Sequence, residues 1–280
     1  MILFLMIIVD CFTSCQSQSN SNCDLLGSWI IEGGRITENY ESAQPYSYNR
    51  ITFSKDTLEL ASGFFYNTQG LDDDYPVGRY PFVYYGNKEK YKVSGDSLYI
   101  YSTPYTSWDS FKINCLESGG VELVGKKNRL SLSKEMAIDS SKECSIKYIK
   151  VHVDGGDLSV NRINYKVTYS DNAKLIYEEW DSETGSFKSE VLKLKPGTFK
   201  DICSAFDRID LLKLKSLYTT EVSDFATYKL EVGLVGGKVI KTEIRGEDSP
   251  DELRLALIPV LYGHQILLYK GLTAKRWNEK

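Results

Sequence analysis

Long apolar runs are missing from nearly all of this 280-residue chain: past Val9 no segment is apolar enough to cross a bilayer as a helix, which excludes a bundle of spanning helices. A surplus of positive charge is missing too. Lys and Arg number 34 against 38 Asp and Glu, a net charge of -4, so there is no sign of the basic face with which a nucleic-acid binder neutralises phosphates. Histidine is scarce: only His152 and His264 are available to join cysteines as metal ligands, and no two cysteines have zinc-knuckle spacing. There is no Gly-x-Ser-x-Gly elbow, no phosphate-cradling glycine loop and no His-Glu-x-x-His. No nucleophile stands with a base, so the expectation is a protein without catalysis and without cofactors. Methionine is rare at 3 against 20 tyrosines, a balance that suits strands and half-wet surfaces more than closed helical cores.

What is present begins with a short apolar segment, Met1 to Val9, followed by Asp10, Cys11 and the polar stretch Gln16 to Asn22. Its size is that of a signal-peptide core. The run Phe12, Thr13, Ser14, Cys15 resembles a bacterial lipobox, in which a small residue precedes the cysteine that is acylated and becomes the new N-terminus. The resemblance implies a leader and anchor over 1–15, with Cys15 carrying the lipid, and a flexible tether over 16–23. Cys11 fits less well because Asp10 occupies the small-residue position. Gln16 differs from the Asp that retains some lipoproteins at the inner membrane, so the expected location is the bacterial cell envelope, at the outer membrane. Cys23, Cys115, Cys144 and Cys203 then remain where disulfides form, with three possible connectivities. Cys115 shares strand parity with Phe111 and Ile113, and Cys203 lies on a helical apolar stripe. Both read as buried thiols, which leaves Cys23 and Cys144 as candidates for a bond.

The length suits two domains. Over 24–135 the chain repeats one unit, a strand with alternating apolar side chains, a short polar turn and another strand. Ile51 and Phe53 lead through Ser54–Thr57 to Leu58 and Leu60; Tyr91 and Val93 through Ser94–Ser97 to Leu98 and Ile100; Val121 and Leu123 through Gly125–Asn128 to Leu130 and Leu132. A meander this long must close or stack to hide its edges. At its start stand Gly27, Ser28 and Trp29, which resemble the Gly-x-Trp signature of lipocalin-like proteins. That resemblance implies an up-and-down barrel with an indole across one end. Parity then turns Trp29, Ile31, Phe53, Leu58, Tyr91, Ile100 and Phe111 inward, and Trp29, Phe53, Tyr91, Ile100 and Phe111 are the candidate lining of a ligand site. Barrels of about eight strands are either filled by their own side chains or hold one small ligand, and parity does not distinguish these. Gly63 to Asn87 carries Phe64, Phe65, Tyr66, Tyr75, Tyr80, Phe82, Tyr84 and Tyr85 around Asp72–Asp74. It reads either as an aromatic lip or, more plainly, as two strands joined by an acidic loop.

Over 145–272 strands alternate with two helices, so the class changes from all-β to α+β with an antiparallel sheet. Ile149, Val151 and Val153 share one strand face and put Lys150 and His152 on the other, where a histidine is solvated rather than catalytic. Tyr165–Tyr169 and Leu175–Trp180 form a hairpin, and Tyr228–Val235 and Lys238–Ile244 form another about Gly236 and Gly237. Thr198 with Asp201 marks a capped helix bearing Phe199, Ile202, Cys203, Phe206 and Ile209. Ser249 as N-cap, Pro250 and Glu252 open a second helix, with Leu253, Ala256, Leu257, Val260 and Leu261 on its apolar stripe. This order, with Asp224 before the hairpin and a Ser-Pro helix after it, resembles an uncharacterised domain that recurs in bacterial lipoproteins and implies no activity. Glu178, Glu179 and Asp181 beside Trp180 do not form a glycosidase pair, because neighbouring carboxylates on a strand point to opposite faces.

Two functional expectations follow. In the first, the barrel accepts a small apolar or sugar-like ligand while the second domain docks on an envelope protein. In the second, the barrel is filled and the protein is a structural or interaction lipoprotein with no small ligand.

Overall fold

The computed structural model describes residues 23–33, 49–67, 82–103, 106–126, 128–135, 145–155, 164–220, 226–246 and 248–277. The leader with Cys15, Asp72–Asp74, Cys144 and Asp224 lie outside them.

The first module runs through strands β1 (Gly27–Gly33), β2 (Asn49–Phe53), β3 (Thr57–Leu60), β4 (Phe65–Asn67), β5 (Phe82–Tyr84), β6 (Lys88–Ser94), β7 (Ser97–Ser102), β8 (Ser107–Cys115), β9 (Val121–Val124) and β10 (Arg129–Lys134). Eight of them close into an antiparallel barrel in the order β1-β10-β9-β8-β7-β6-β3-β2, with β1 pairing to both β2 and β10. Closure leaves no sheet edge within the barrel. The period-two pattern is the cause: along β7, Leu98, Ile100 and Ser102 are buried while the residues between them are not. The three hairpins expected from their turns are β2–β3, β6–β7 and β9–β10.

The remaining pair, β4–β5, forms a separate two-stranded ribbon. The two strands of the plainer reading of the aromatic segment are thus present, while the segment between them, with Tyr75 and Tyr80, lies outside the described residues. Gly63 stands where the chain enters the ribbon, at φ +71°, and a Cβ there would lie 2.2 Å from the Tyr84 ring. Only glycine meets both conditions.

The second module is a seven-stranded sheet, β14-β13-β12-β11-β16-β17-β15, built from β11 (Ile146–Asp154), β12 (Asn164–Ser170), β13 (Lys174–Asp181), β14 (Ser186–Lys193), β15 (Leu217–Thr219), β16 (Thr227–Leu234) and β17 (Val239–Arg245). Both predicted hairpins are present, as β12–β13 and β16–β17. The sheet is mixed rather than wholly antiparallel, because β15 adds to β17 in parallel. Three residues with a single buried side chain, Tyr218, give β15 no periodicity to read.

One face of this sheet, carrying Ile149, Val151, Val167, Leu175, Leu230 and Val232, packs against α1 (Thr198–Ser204) and α2 (Asp251–Trp277). Helix α1 is shorter than its apolar stripe suggests. Phe206 and Ile209 continue the packing from turns, and the N-cap is Gly197 in a left-handed conformation, without a side-chain cap bond from Thr198. Helix α2 begins at Asp251, one residue later than the expected start at Pro250, whose carbonyl accepts from the Leu253 and Arg254 amides, and the Ser249 hydroxyl is buried and makes no hydrogen bond among the described residues, so it does not cap the helix.

Helix α2 belongs to two cores. Leu253, Ala256, Leu257, Val260 and Leu261 face the sheet, whereas Leu255 and Ile258 pack with Phe65 and Tyr84 of the β4–β5 ribbon. A helix that is apolar on both sides is a buried helix. The Gln265 side chain accepts a 2.9 Å hydrogen bond from the Tyr84 amide, and the ring of Tyr262 meets that of Phe65 edge-on at 5.2 Å. Ion pairs tie the modules together around this contact: Arg50 with Glu252 at 3.1 Å, Lys88 with Asp201 at 3.0 Å, and Arg208 with Glu135.

The cysteines do not follow the expected pairing. Cys115, at the exposed end of β8, is bonded to Cys23 just ahead of β1. Parity placed Cys115 correctly relative to Phe111, but the strand runs out of the core before reaching it, so the side chain is open to a partner. Cys203 is buried, as its helical position implied, and is not part of the disulfide.

Candidate functional site

The five residues predicted to line the barrel, Trp29, Phe53, Tyr91, Ile100 and Phe111, all point inward and all are buried. They belong to one contact cluster with Ile31, Ile51, Leu58, Leu98, Leu123, Leu130 and Leu132, drawn from every part of the barrel wall. Ile51, Leu58, Leu98, Leu123 and Leu130 are each 0% accessible. A chamber large enough for water would leave its lining partly accessible, so these side chains are packed against one another. Trp29 is buried within this cluster. Its indole Nε1 donates to the Leu25 carbonyl at 2.7 Å, and the Lys134 ammonium lies 4.3 Å from the ring centroid on the solvent side. Tyr91 packs edge-on against Phe53 at 5.2 Å and donates its hydroxyl to the Ser54 carbonyl.

The second candidate site is the face of the seven-stranded sheet opposite the helices. Strand register sets Lys166, His152, Lys229 and Glu243 in one row across β12, β11, β16 and β17, and Lys150, Glu231 and Lys241 in the next. All of these except Lys166 line a cleft of about 370 Å³ together with Ser216, Leu230 and Thr242. Glu231 accepts from the Tyr148 hydroxyl at 2.7 Å and from Lys241 at 3.0 Å, and these two bonds, the tyrosine's first, hold its carboxyl below the usual range. Glu243 is matched by Arg245. Lys150 and Lys229 form no ion pair among the described residues, which leaves the cleft with an excess of positive charge on a chain that is negative overall. His152 does sit on this solvated face, its Nε2 2.9 Å from the Asn164 side-chain oxygen.

The face is built on one close approach. Tyr148 lies flat over Gly233 on the neighbouring strand, where a Cβ would come within 2.0 Å of the ring. No sequence pattern flags this, since Gly233 reads as an ordinary residue within a strand. At the far edge, Trp180 packs on Phe187 at 5.2 Å, and the Lys166 ammonium lies 3.5 Å from the Phe187 ring centroid.

The acidic patch beside Trp180 is dispersed by its strand. Glu178 pairs with Lys166 and Ser189 in register, Glu179 with Tyr165 and Lys188, and Asp181, the last residue of β13, pairs with Ser186 and accepts from the turn that follows. Lys188 at 2.6 Å, then the Glu183 amide, hold the Asp181 carboxyl down at about 2. No group of three His, Cys, Asp or Glu side chains among the described residues converges as a metal site would require.

The search against protein-family models returns no match, and no curated protein matches the chain.

Proposed function

We propose that this chain is a lipid-anchored, non-catalytic interaction protein of the bacterial cell envelope, in which a filled lipocalin-like barrel is a rigid support and the second module docks on another envelope protein. The observation that carries the reading is the barrel interior: side chains from all around the wall form one buried cluster, with several members at 0% exposure. That favours the interaction reading over a barrel holding a small apolar or sugar-like ligand. The open sheet face, with Lys150 and Lys229 free of ion pairs among the described residues, suits a partner presenting carboxylates.

Two features support the location. Phe12–Cys15 resembles a lipobox with Cys15 as the anchor; Gln16–Asn22 is a polar tether, and Gln16 favours the outer membrane. The Cys23–Cys115 bond suits an oxidising compartment and fastens the chain to the barrel directly after the tether. Gly27–Trp29 stands in the first barrel strand with its indole buried in the barrel cluster, which supports the lipocalin-like reading.

Native mass spectrometry of the chain from Gln16 onward, recovered from bacterial lysate, tests the choice between a filled barrel and a ligand carrier. The expected result is the bare polypeptide mass. A small-molecule mass retained by the protein and lost in a Trp29→Ala, Phe53→Ala variant would overturn the reading.

A further inference from the structure

Strand β14 is an edge of the seven-stranded sheet, and nothing described pairs with its outer side. It is eight residues long, contains no proline, and keeps register with β13 from Lys174↔Lys193 to Asp181↔Ser186 without a bulge. Natural edges are usually kept short, bulged, covered or guarded by lysine. Here the edge is long and regular, and Val191 on it is 62% exposed.

We propose that two copies of this chain join edge to edge through β14, antiparallel, with the two-fold axis at Ser189. Backbone parity is the first support. The Leu194 amide donates to the Ala173 carbonyl, so the even-numbered residues of β14 turn their backbone groups toward β13. Phe187, Ser189 and Val191 therefore turn their amides and carbonyls outward. With the axis at Ser189, Phe187 faces Val191 of the second copy and Ser189 faces itself, and each such pair exchanges two N–H···O=C bonds.

Side-chain chemistry is the second support. The same register sets Lys188 opposite Glu190 at the closely spaced, non-hydrogen-bonded positions, once on each side of the axis. Glu190 is exposed and makes no ion pair among the described residues; Lys188 reaches Asp181 of its own copy at 2.6 Å yet stays largely exposed, so Glu190 of the other copy adds a second carboxylate partner to the guarding lysine. On the open sheet face, Val191 lies beside Ile176 and Phe187 beside Trp180, which is 39% exposed. Pairing brings Ile176 and Val191 of one copy into line with Phe187 and Trp180 of the other. Moving the axis to Val191 sets Glu190 against Leu192, and moving it to Phe187 sets Lys188 against Ser186, so only the Ser189 axis matches both charge and apolar groups. The contact is closed and isologous, uses up both edges, and does not propagate into a filament.

The test uses the full chain with Cys11, Cys15 and Cys144 changed to serine, which keeps the Cys23–Cys115 bond. Sedimentation velocity at about 50 μM is expected to show a dimer, an affinity range typical of modest interfaces. Glu190→Lys is expected to weaken it about tenfold by setting like charges opposite each other, and Lys188→Glu with Glu190→Lys to restore it. Ser189→Cys is expected to cross-link to itself on mild oxidation, since facing Cα atoms about 5.5 Å apart lie within disulfide reach, while Phe187→Cys does not. A chain that stays monomeric, a dimer indifferent to the charge exchange, or Ser189→Cys cross-linking no faster than Phe187→Cys would each overturn the proposal.

Discussion

His264, on α2, is buried in the core, stacked on Tyr177 at 4.5 Å and tilted against Tyr165 at 5.4 Å, with no hydrogen bond to its Nδ1 among the described residues. Burial depresses its pKa from 6.5 to about 4, with the Leu261 carbonyl opposing in small part. The folded state thus takes up this proton less readily than the unfolded chain. The contribution to stability is complete above about pH 6.5 and is lost as pH falls toward about 4. The gap corresponds to about 3 kcal/mol, of which about 2 kcal/mol is gone at pH 4.5. Replacing the imidazole by a ring that does not titrate removes this term. Urea unfolding at pH 7 and pH 4.5 is expected to show that His264→Phe loses about 2 kcal/mol less than the unaltered protein; equal losses in the two proteins would exclude His264 as the source. Single residues are where sequence reading reached least far. Alternation turned Trp29, Phe53, Tyr91, Ile100 and Phe111 inward correctly, because the wall of a barrel obeys one period. Gly233 beneath Tyr148 and His264 against Tyr177 depend on neighbours from other strands, and no local pattern encodes them.

At the scale of elements, α2 is the most informative case. Its start and its sheet-facing stripe were legible from Pro250, Glu252 and the spacing of Leu253, Ala256, Leu257, Val260 and Leu261. Its second apolar face was not, because Leu255 and Ile258 acquire a partner only when the β4–β5 ribbon, nearly two hundred residues earlier, folds against them. The aromatic segment was ambiguous for the same reason. Phe65 and Tyr84 are core residues of a contact between modules, not a ligand-binding lip. Truncating the helix on this face should loosen the ribbon before the sheet. Leu255→Ala or Ile258→Ala is expected to cost about 2–4 kcal/mol. Hydrogen exchange should show the Tyr84 amide, which donates to Gln265, losing protection ahead of the β11 and β12 amides. Protection lost evenly across both sheets would mean that the ribbon and the second module open only together.

Over the whole molecule, the shared helix bears on whether the two modules unfold as one unit or two. Interfaces between domains are commonly modest and polar, and domains joined in that way move and melt independently. Here the junction has an apolar centre, from Phe65, Tyr84, Leu255 and Ile258, and a charged rim in which Arg208 and Glu135 are both largely buried. Glu59 lies in the same rim beside Lys88, and burial raises its carboxyl above the ordinary range. Neither module can open without exposing one side of α2. The Cys23–Cys115 bond, spanning 92 residues and confined to the barrel, offers a way to perturb one module alone. Reduction restores unfolded-chain entropy worth about 3–5 kcal/mol, all of it charged to the barrel. If α2 couples the modules, calorimetry should show a single transition whose calorimetric and van't Hoff enthalpies agree, and reduction should move that whole transition downward. Hydrogen exchange of β12 and β13 in the second sheet should accelerate along with the barrel strands, although the broken bond touches neither. Two peaks, with only one shifted by the reductant, would instead make α2 a dock that the barrel can leave while the second sheet stays folded.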